Sequence, residues 1–226
     1  MKTITDQKLI LSYIKKYHLE DVLDHEDLMR GTLIQCQKRD VIINPGEELD
    51  TFYFFLEGKL KVTSVLENGK SLLFRFYTKL DTLGDIELFI PSLTDARVEV
   101  VKESYLLKIP MDLMRSRYLD NPKFLKFIGF SLSDKLRSIS QNSAYNLYYP
   151  LINRLSSYIY EHIGEDNKVV FYSSYQDISE LLGTSYRHLN RTLNDLQNMK
   201  IITFYKKEID IIDLDALKAL AKNLYH

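Results

Sequence analysis

The chain of 226 residues holds a single cysteine, Cys36, and no tryptophan. One thiol cannot build an internal disulfide framework, a four-cysteine zinc site or an iron–sulfur cluster. An excess of one charge is lacking too: 30 Lys and Arg stand against 31 Asp and Glu, a formal net charge of −1. That excludes a generic nucleic-acid coat, so any such binding must come from a local face and not from bulk charge. No run of about 18 apolar residues occurs, the length a membrane span needs, and no charged segment followed by an apolar stretch opens the chain. The expectation is a cytoplasmic protein with no membrane partner. No histidine lies between Thr32 and Ile109, which removes the usual imidazole ligands of a metal-dependent roll enzyme. A nucleophile elbow, a paired-histidine motif and a P-loop are all missing, and Glu67-Asn68-Gly69-Lys70 lacks the spaced glycines of a phosphate cradle. The expectation is a non-enzyme without metal or cofactor.

What is present concentrates between Ser174 and Ile202. Ile178, Leu181 and Leu182 make one apolar helical face, and Gly183 follows where a sharp turn favours a residue without a Cβ. Thr184 or Ser185 then caps a second helix with the stripe Leu189, Leu193 and Leu196. This spacing predicts a helix-turn-helix. It leaves Tyr186, Arg187, Asn190, Arg191 and Asn194 outward, carrying groups able to read base edges in a major groove. The bland alternative is a winged helix used only for protein contacts, but packing explains an outward Arg-x-x-Asn-Arg face poorly.

Upstream, residues 4 to 29 read as amphipathic helix with a stripe of Ile4, Leu9, Ile10, Tyr13, Ile14 and Tyr17. From Thr32 to Ile109 short alternating runs predict strands at 32–37, 41–43, 52–56, 59–66, 71–77 and 96–109. Turn chemistry separates them at Asn44-Pro45-Gly46, Glu57-Gly58 and Asn68-Gly69, which suggests a compact antiparallel roll. Residues 111 to about 142 return to helical period. Leu125, Ile128, Leu132, Leu136 and Ile139 form an apolar seam, with Lys135 interrupting it. A seam on a helix of about 30 Å is more than one small roll can cover and suggests pairing with a second copy. Asn142 to Pro150 reads as a hinge, Leu151 to Ile163 as another helix, Lys168 to Tyr172 as a strand, and Thr203 to Ile212 as a wing with Lys206 and Lys207 at its tip. The expected class is α+β. A roll with helical preface spans 1–110, a dimerisation helix and hinge 111–145, and a winged helix-turn-helix 146–226.

In this order the chain resembles the Crp/Fnr family of bacterial transcription regulators, from about Glu26 to Leu214. The residues that carry the likeness are Pro45-Gly46-Glu47, Phe52 to Val62, Asn68-Gly69-Lys70 and Leu83-Gly84-Asp85. The most specific are Gln176-Asp177-Ile178, Leu182-Gly183-Thr184-Ser185 and Arg191. The resemblance implies a homodimer that binds a palindromic operator in double-stranded DNA and contacts RNA polymerase. By position it implies base reading by Tyr186, Arg187, Asn190 and Arg191. Phosphate contacts are expected from Ser174, Tyr175, Ser185 and His188, and from the wing lysines Lys206 and Lys207. Tyr186 and Arg187 depart from the family pattern, which commonly has Arg or Val and then Glu. Glu accepts from a cytosine amine and Arg cannot, so an operator unlike the common TGTGA-type half-site is expected.

The same resemblance locates an effector pocket at Gly84, Asp85, Ile86, Thr94, Asp95 and Arg97. Cyclic-nucleotide binders there need Gly-Glu-Leu for the ribose and an Arg-Ser or Arg-Thr pair for the phosphate, because an enclosed anion requires a guanidinium and convergent donors. This chain offers Gly84-Asp85-Ile86 and Thr94-Asp95-Ala96. Asp95 would repel a phosphate, and Arg97 lies at an offset that points to the other strand face. The pocket is read as degenerate and cyclic AMP as a poor ligand; the alternative is a cyclic-nucleotide-dependent regulator. Haem is weakly supported, since His18, His25 and Cys36 are candidates by element alone. Cys36 is read as a buried strand residue, with redox sensing the alternative.

Overall fold

A computed structural model describes residues 1–65, 71–164, 166–171 and 173–222. The Asn68-Gly69 turn expected from sequence therefore lies outside the described residues, as do Leu66 and Tyr172. The chain divides into two compact units, Met1–Lys70 with Phe74–Leu136, and Ser71–Leu73 with Arg137–His226.

The first unit opens with β1 (Lys2–Ile4), α1 (Gln7–Lys16), a 3₁₀ turn (Leu19–Asp21) and α2 (His25–Arg30). Asp6 caps α1 through bonds from the Lys8 and Leu9 amides, and its apolar stripe buries Ile10, Tyr13 and Ile14 as expected. Ile4 departs from the helical expectation. It is a strand residue opposite Leu33 of β2 (Thr32–Cys36), because the edge of β2 away from β7 offers backbone partners before Asp6 starts a helix.

The roll continues through β3 (Val41–Ile43), β4 (Thr51–Val65), β5 (Ser71–Tyr77), β6 (Asp81–Leu83), α3 (Asp85–Phe89) and β7 (Arg97–Pro110). Its strand order is β1-β2-β7-β4-β5, with β3 also on β7 and β6 on β4. Glu57-Gly58 is not a turn: β4 runs through it with shifts in register against β7. Gly58 has φ +114°, and a Cβ there would lie 2.3 Å from the Glu103 carbonyl, so only glycine lets the two strands close over this bulge.

The strand explains its own composition. Phe52, Phe54 and Leu56 pack on the helices with Leu107 and Ile109. Tyr53 and Phe55, one residue out of phase, fill the roll interior with Ile34, Cys36 and Leu106. A strand covered on both faces reads as a nearly continuous apolar run. Cys36 is fully buried, and burial foremost, with Asp40 nearby, pushes its thiol up to about 11. The thiol thus stays protonated and shielded, and iodoacetamide at about pH 8 should label it only after denaturation. Native labelling at the rate of a free thiol would contradict this packing.

The stretch expected as one helix from 111 is two. α4 (Met111–Tyr118) ends at Leu119, and α5 (Pro122–Tyr148) begins afresh. Asn121 caps α5 through the Lys123 and Phe124 amides, and proline suits the first helical position. α5 also runs through the expected hinge; only Tyr149 and Pro150 separate it from α6 (Leu151–Glu161). Nothing in Asn142–Tyr148 breaks a helix, and polarity alone is no stop signal. Of the expected seam, Ile128 is buried in the roll's outer core and Leu132 packs against it. Leu125, Leu136 and Ile139 remain 37%, 68% and 36% exposed, joined by Phe130 at 68% and Leu147 at 75%. The seam is therefore two stripes: one faces the chain's own roll and the other faces outward.

The second unit adds β8 (Lys168–Val170), α7 (Tyr175–Leu181), α8 (Tyr186–Asn198), β9 (Ile202–Tyr205), β10 (Glu208–Ile211) and α9 (Leu214–Ala221). The three strands order β8-β10-β9, with Ile209 opposite Phe204 and Val169. No described helix is long and apolar enough to cross a membrane.

Candidate nucleic-acid interface and effector cavity

The helix-turn-helix is built by local chemistry. Ser174 accepts from the Asp177 amide at 3.0 Å while Asp177 accepts from the Ser174 amide at 3.0 Å, a capping box. Gly183 turns with φ +59°, and a Cβ there would press on the Asn146 side chain at 3.1 Å. Ser185 caps α8 by accepting from the His188 amide at 3.2 Å. Leu189, Leu193 and Leu196 are buried as expected, together with Thr192, whose hydroxyl donates to the His188 carbonyl.

Opposite them lies a polar face. Tyr186 is half exposed, and Arg187 and Arg191 are exposed. Neither guanidinium forms a hydrogen bond or ion pair among the described residues. Asn190 is half-buried, and its amide donates to the Tyr186 carbonyl at 2.9 Å; its second N–H and its oxygen are what it can offer a base. The supporting residues divide. Ser174 has its hydroxyl committed to Asp177 at 2.7 Å. The Tyr175 hydroxyl is buried without a partner among the described residues, its ring against Phe171. As they stand, neither offers its side chain to a phosphate, because the Ser174 hydroxyl caps its own helix and the Tyr175 hydroxyl is turned inward. Ser185 and His188 are exposed at the start of α8, where backbone N–H groups favour an anion. Lys206 takes φ +54° at the wing tip with its ammonium 5.1 Å from the Tyr205 ring, and Lys207 lies beside it, exposed.

Sequence reasoning missed Arg154. This α6 residue is buried. It donates to the Tyr149 carbonyl at 3.0 Å, to Asn146 Oδ1 at 2.8 Å and to the Leu182 carbonyl. Asn146 in turn donates to the Leu181 carbonyl at 3.3 Å. The turn of the helix-turn-helix is thus held by one guanidinium reading three oxygens.

In the first unit, Gly84, Asp85, Ile86 and Thr94 line a cavity of about 80 Å³ with Tyr77 and Glu87. Asp95 is exposed at its rim, outside the lining. Ala96 and Val98 face inward, so Arg97 turns the other way, to Asn44 Oδ1 at 3.4 Å and Glu99 at 3.7 Å. Thr94 is occupied by structure: its hydroxyl donates to the Asn44 and Glu47 carbonyls and clamps the Asn44-Pro45-Gly46 turn. Behind the cavity α5 sends in Lys135, which sequence alone showed only as an interruption of the seam. Its ammonium lies 2.7 Å from Asp85, 3.3 Å from Asp81 and 2.6 Å from the Thr82 carbonyl. Ser131 donates to Asp81 at 3.0 Å, and Arg75 bridges Asp81 and Asp134 at 3.2 and 3.6 Å. The acid of the expected ribose-binding motif is thereby consumed by an internal ion pair.

Comparison with known proteins agrees with this architecture. Residues 33–121 match the cyclic nucleotide-binding domain family, and residues 153–220 match the Crp-like helix-turn-helix domain family. The chain belongs to the Crp/Fnr family. It is a Crp-like transcription regulator, with the α+β order of antiparallel roll, long helix and helix-turn-helix. Regulatory protein YeiL of Escherichia coli is 27% identical over 187 residues, 81% of this chain and 82% of that protein. The global nitrogen regulator of Synechococcus elongatus is 21% identical, covering 81% and 86%. Among solved structures, a Crp/Fnr-family regulator from Thermus thermophilus superposes with TM-score 0.72 at 23% identity, covering 84% of this chain and 98% of that one. The c-di-GMP-responsive regulator CLP of Xanthomonas campestris gives 0.73 at 18%, covering 81% and 94%. At these identities the structural likeness speaks for the fold alone.

Proposed function

We propose that this Crp/Fnr regulator binds a palindromic operator as a homodimer, with α8 in the major groove, and that its roll does not accept cyclic AMP. The observation that carries the first part is the pair Arg187 and Arg191, two exposed guanidiniums on the outer face of α8 without hydrogen-bond or ion-pair partners among the described residues. A guanidinium spaced one helical turn from another suits bidentate pairing with guanine O6 and N7. The outward stripe of Leu125, Leu136, Ile139 and Leu147 on α5 supports pairing with a second copy. A two-fold dimer places its recognition helices about 34 Å apart and calls for half-sites one turn apart. Against a cyclic phosphate stand Asp85 and Glu87 as the charged residues lining the cavity. An anion enclosed among carboxylates would lack the donors that make its burial tolerable.

Arg191→Ala tests the reading. Arg191 is exposed, so its removal should leave the melting temperature unchanged. Binding to an operator selected from random duplexes should weaken by about 1–3 kcal/mol at one base position, with relaxed preference there. An equal loss on every sequence would make Arg191 a phosphate contact instead. Recovery of the common TGTGA-type half-site would overturn the expected role of Tyr186 and Arg187.

A further inference from the structure

The cavity of the roll carries a charge pattern that points to a ligand of its own. Its walls are apolar (Ile43, Val62, Leu83 and Val98), and its charged residues, Asp85 and Glu87, are both acids. Tyr77 lines it with its side chain 94% buried (6% exposed) and a hydroxyl that has no hydrogen-bond partner among the described residues. Of the nearby cations, Lys135 is held by Asp81 and Asp85, and Arg75 by Asp81 and Asp134, its Nε and Nη1 having no hydrogen-bond partner among the described residues. Arg97 faces Asn44 and Glu99, and Arg115 donates to the Glu87 carbonyl at 2.9 Å. Of the two acids lining the cavity, Glu87 has no ion pair among the described residues.

We propose that this cavity binds a small alkylammonium ligand, its ammonium on the Glu87 carboxylate within reach of the Tyr77 hydroxyl and its chain along the apolar walls. Glu87 shows the need for such a cation. Burial first, then the fields of Asp85 and Asp95, hold its carboxyl above the usual range against the pull of a hydrogen bond from its own backbone amide and of Lys135. A carboxylate in that position is stabilised by an incoming positive charge and penalised by a negative one. The space of about 80 Å³ is several times what one water needs and limits the ligand to a short chain. A four-carbon amine matches it, with its tail free to extend through the open mouth.

The inference deepens the reading of the roll as an effector domain, and it is tested without DNA, so its failure would leave operator binding standing. The full chain is melted at neutral pH and constant ionic strength with about 50 mM n-butylammonium, n-butanol or butyrate. The ammonium should raise the melting temperature by about 2 °C, the alcohol by less and the carboxylate not at all. Glu87→Gln should abolish the response without lowering the unliganded melting temperature, since it removes a half-buried charge that has no ion pair among the described residues and keeps an oxygen to accept from the backbone amide. An equal response to the alcohol or the carboxylate, a response that survives Glu87→Gln, or no response to the ammonium would each overturn the proposal.

Discussion

Lys135→Met should lower the stability of the first unit by about 3–5 kcal/mol, seen as a lower urea midpoint of its unfolding. The wild-type ammonium is buried and touches two carboxylates and a carbonyl. Without it Asp85 keeps only the Thr82 hydroxyl among the described residues, at 3.1 Å, and Asp81 relies on Arg75, Ser131 and the Thr82 amide. The large loss comes from stranding Asp85, and a second change reveals this. Lys135→Met combined with Asp85→Leu should recover a good part of the deficit, because removing both partners of a buried pair is far milder than removing one. Additive losses in the double variant would mean that Lys135 acts by packing its alkyl stem.

The pH dependence has a definite sign. Burial alone would pull the Lys135 ammonium down, but the fields of Tyr77, Asp85 and Asp81 and the hydrogen bond to Asp85 outweigh it and hold it above the ordinary lysine range. At neutral pH only the two carboxylates among these carry charge. A raised lysine contributes stability that is fully present below the unfolded-state lysine value and lost only as pH rises through the folded one. The difference between wild type and Lys135→Met should therefore be flat from neutral to mildly alkaline pH and shrink at strongly alkaline pH.

Lys135 also marks where the sequence becomes silent. The helix-turn-helix is legible because every signal is local: Ser174 and Asp177 three apart, Gly183 at the turn, Ser185 before α8, and leucines at helical spacing. Alternation in the roll is legible for the same reason, and it misleads at Glu57-Gly58, where a bulge uses the residues that a turn would. Lys135 meets Asp85 and Thr82 across about 50 residues, and a lysine within a helix reads as a solvated residue whatever it touches. Ile128 and Leu125 are three apart in one apolar seam, yet they face different surroundings. Periodicity shows that a face is apolar and does not say what covers it.

Arg154 is the second case of a long-range role hidden in an ordinary residue, and Arg154→Met should cost the second unit about 3 kcal/mol. The guanidinium donates to the Tyr149 and Leu182 carbonyls and to Asn146 Oδ1, so its loss leaves three acceptors without their charged donor, one in a buried place and two partly buried. Arg154→Lys keeps the charge but not the planar fork, and a single ammonium cannot reach oxygens spread over two chain segments as the fork does. It should recover less than half of the loss. The functional consequence separates Arg154 from Arg191. At a temperature where Arg154→Met is still folded, its binding should weaken alike for every operator base, because the turn that orients α8 has loosened and no base contact has been removed. Arg191→Ala should behave oppositely, with intact stability and a defect confined to one base position. If Arg154→Met is as stable as wild type, the turn is held by Gly183 and the leucine core alone, and Arg154 is dispensable to the fold.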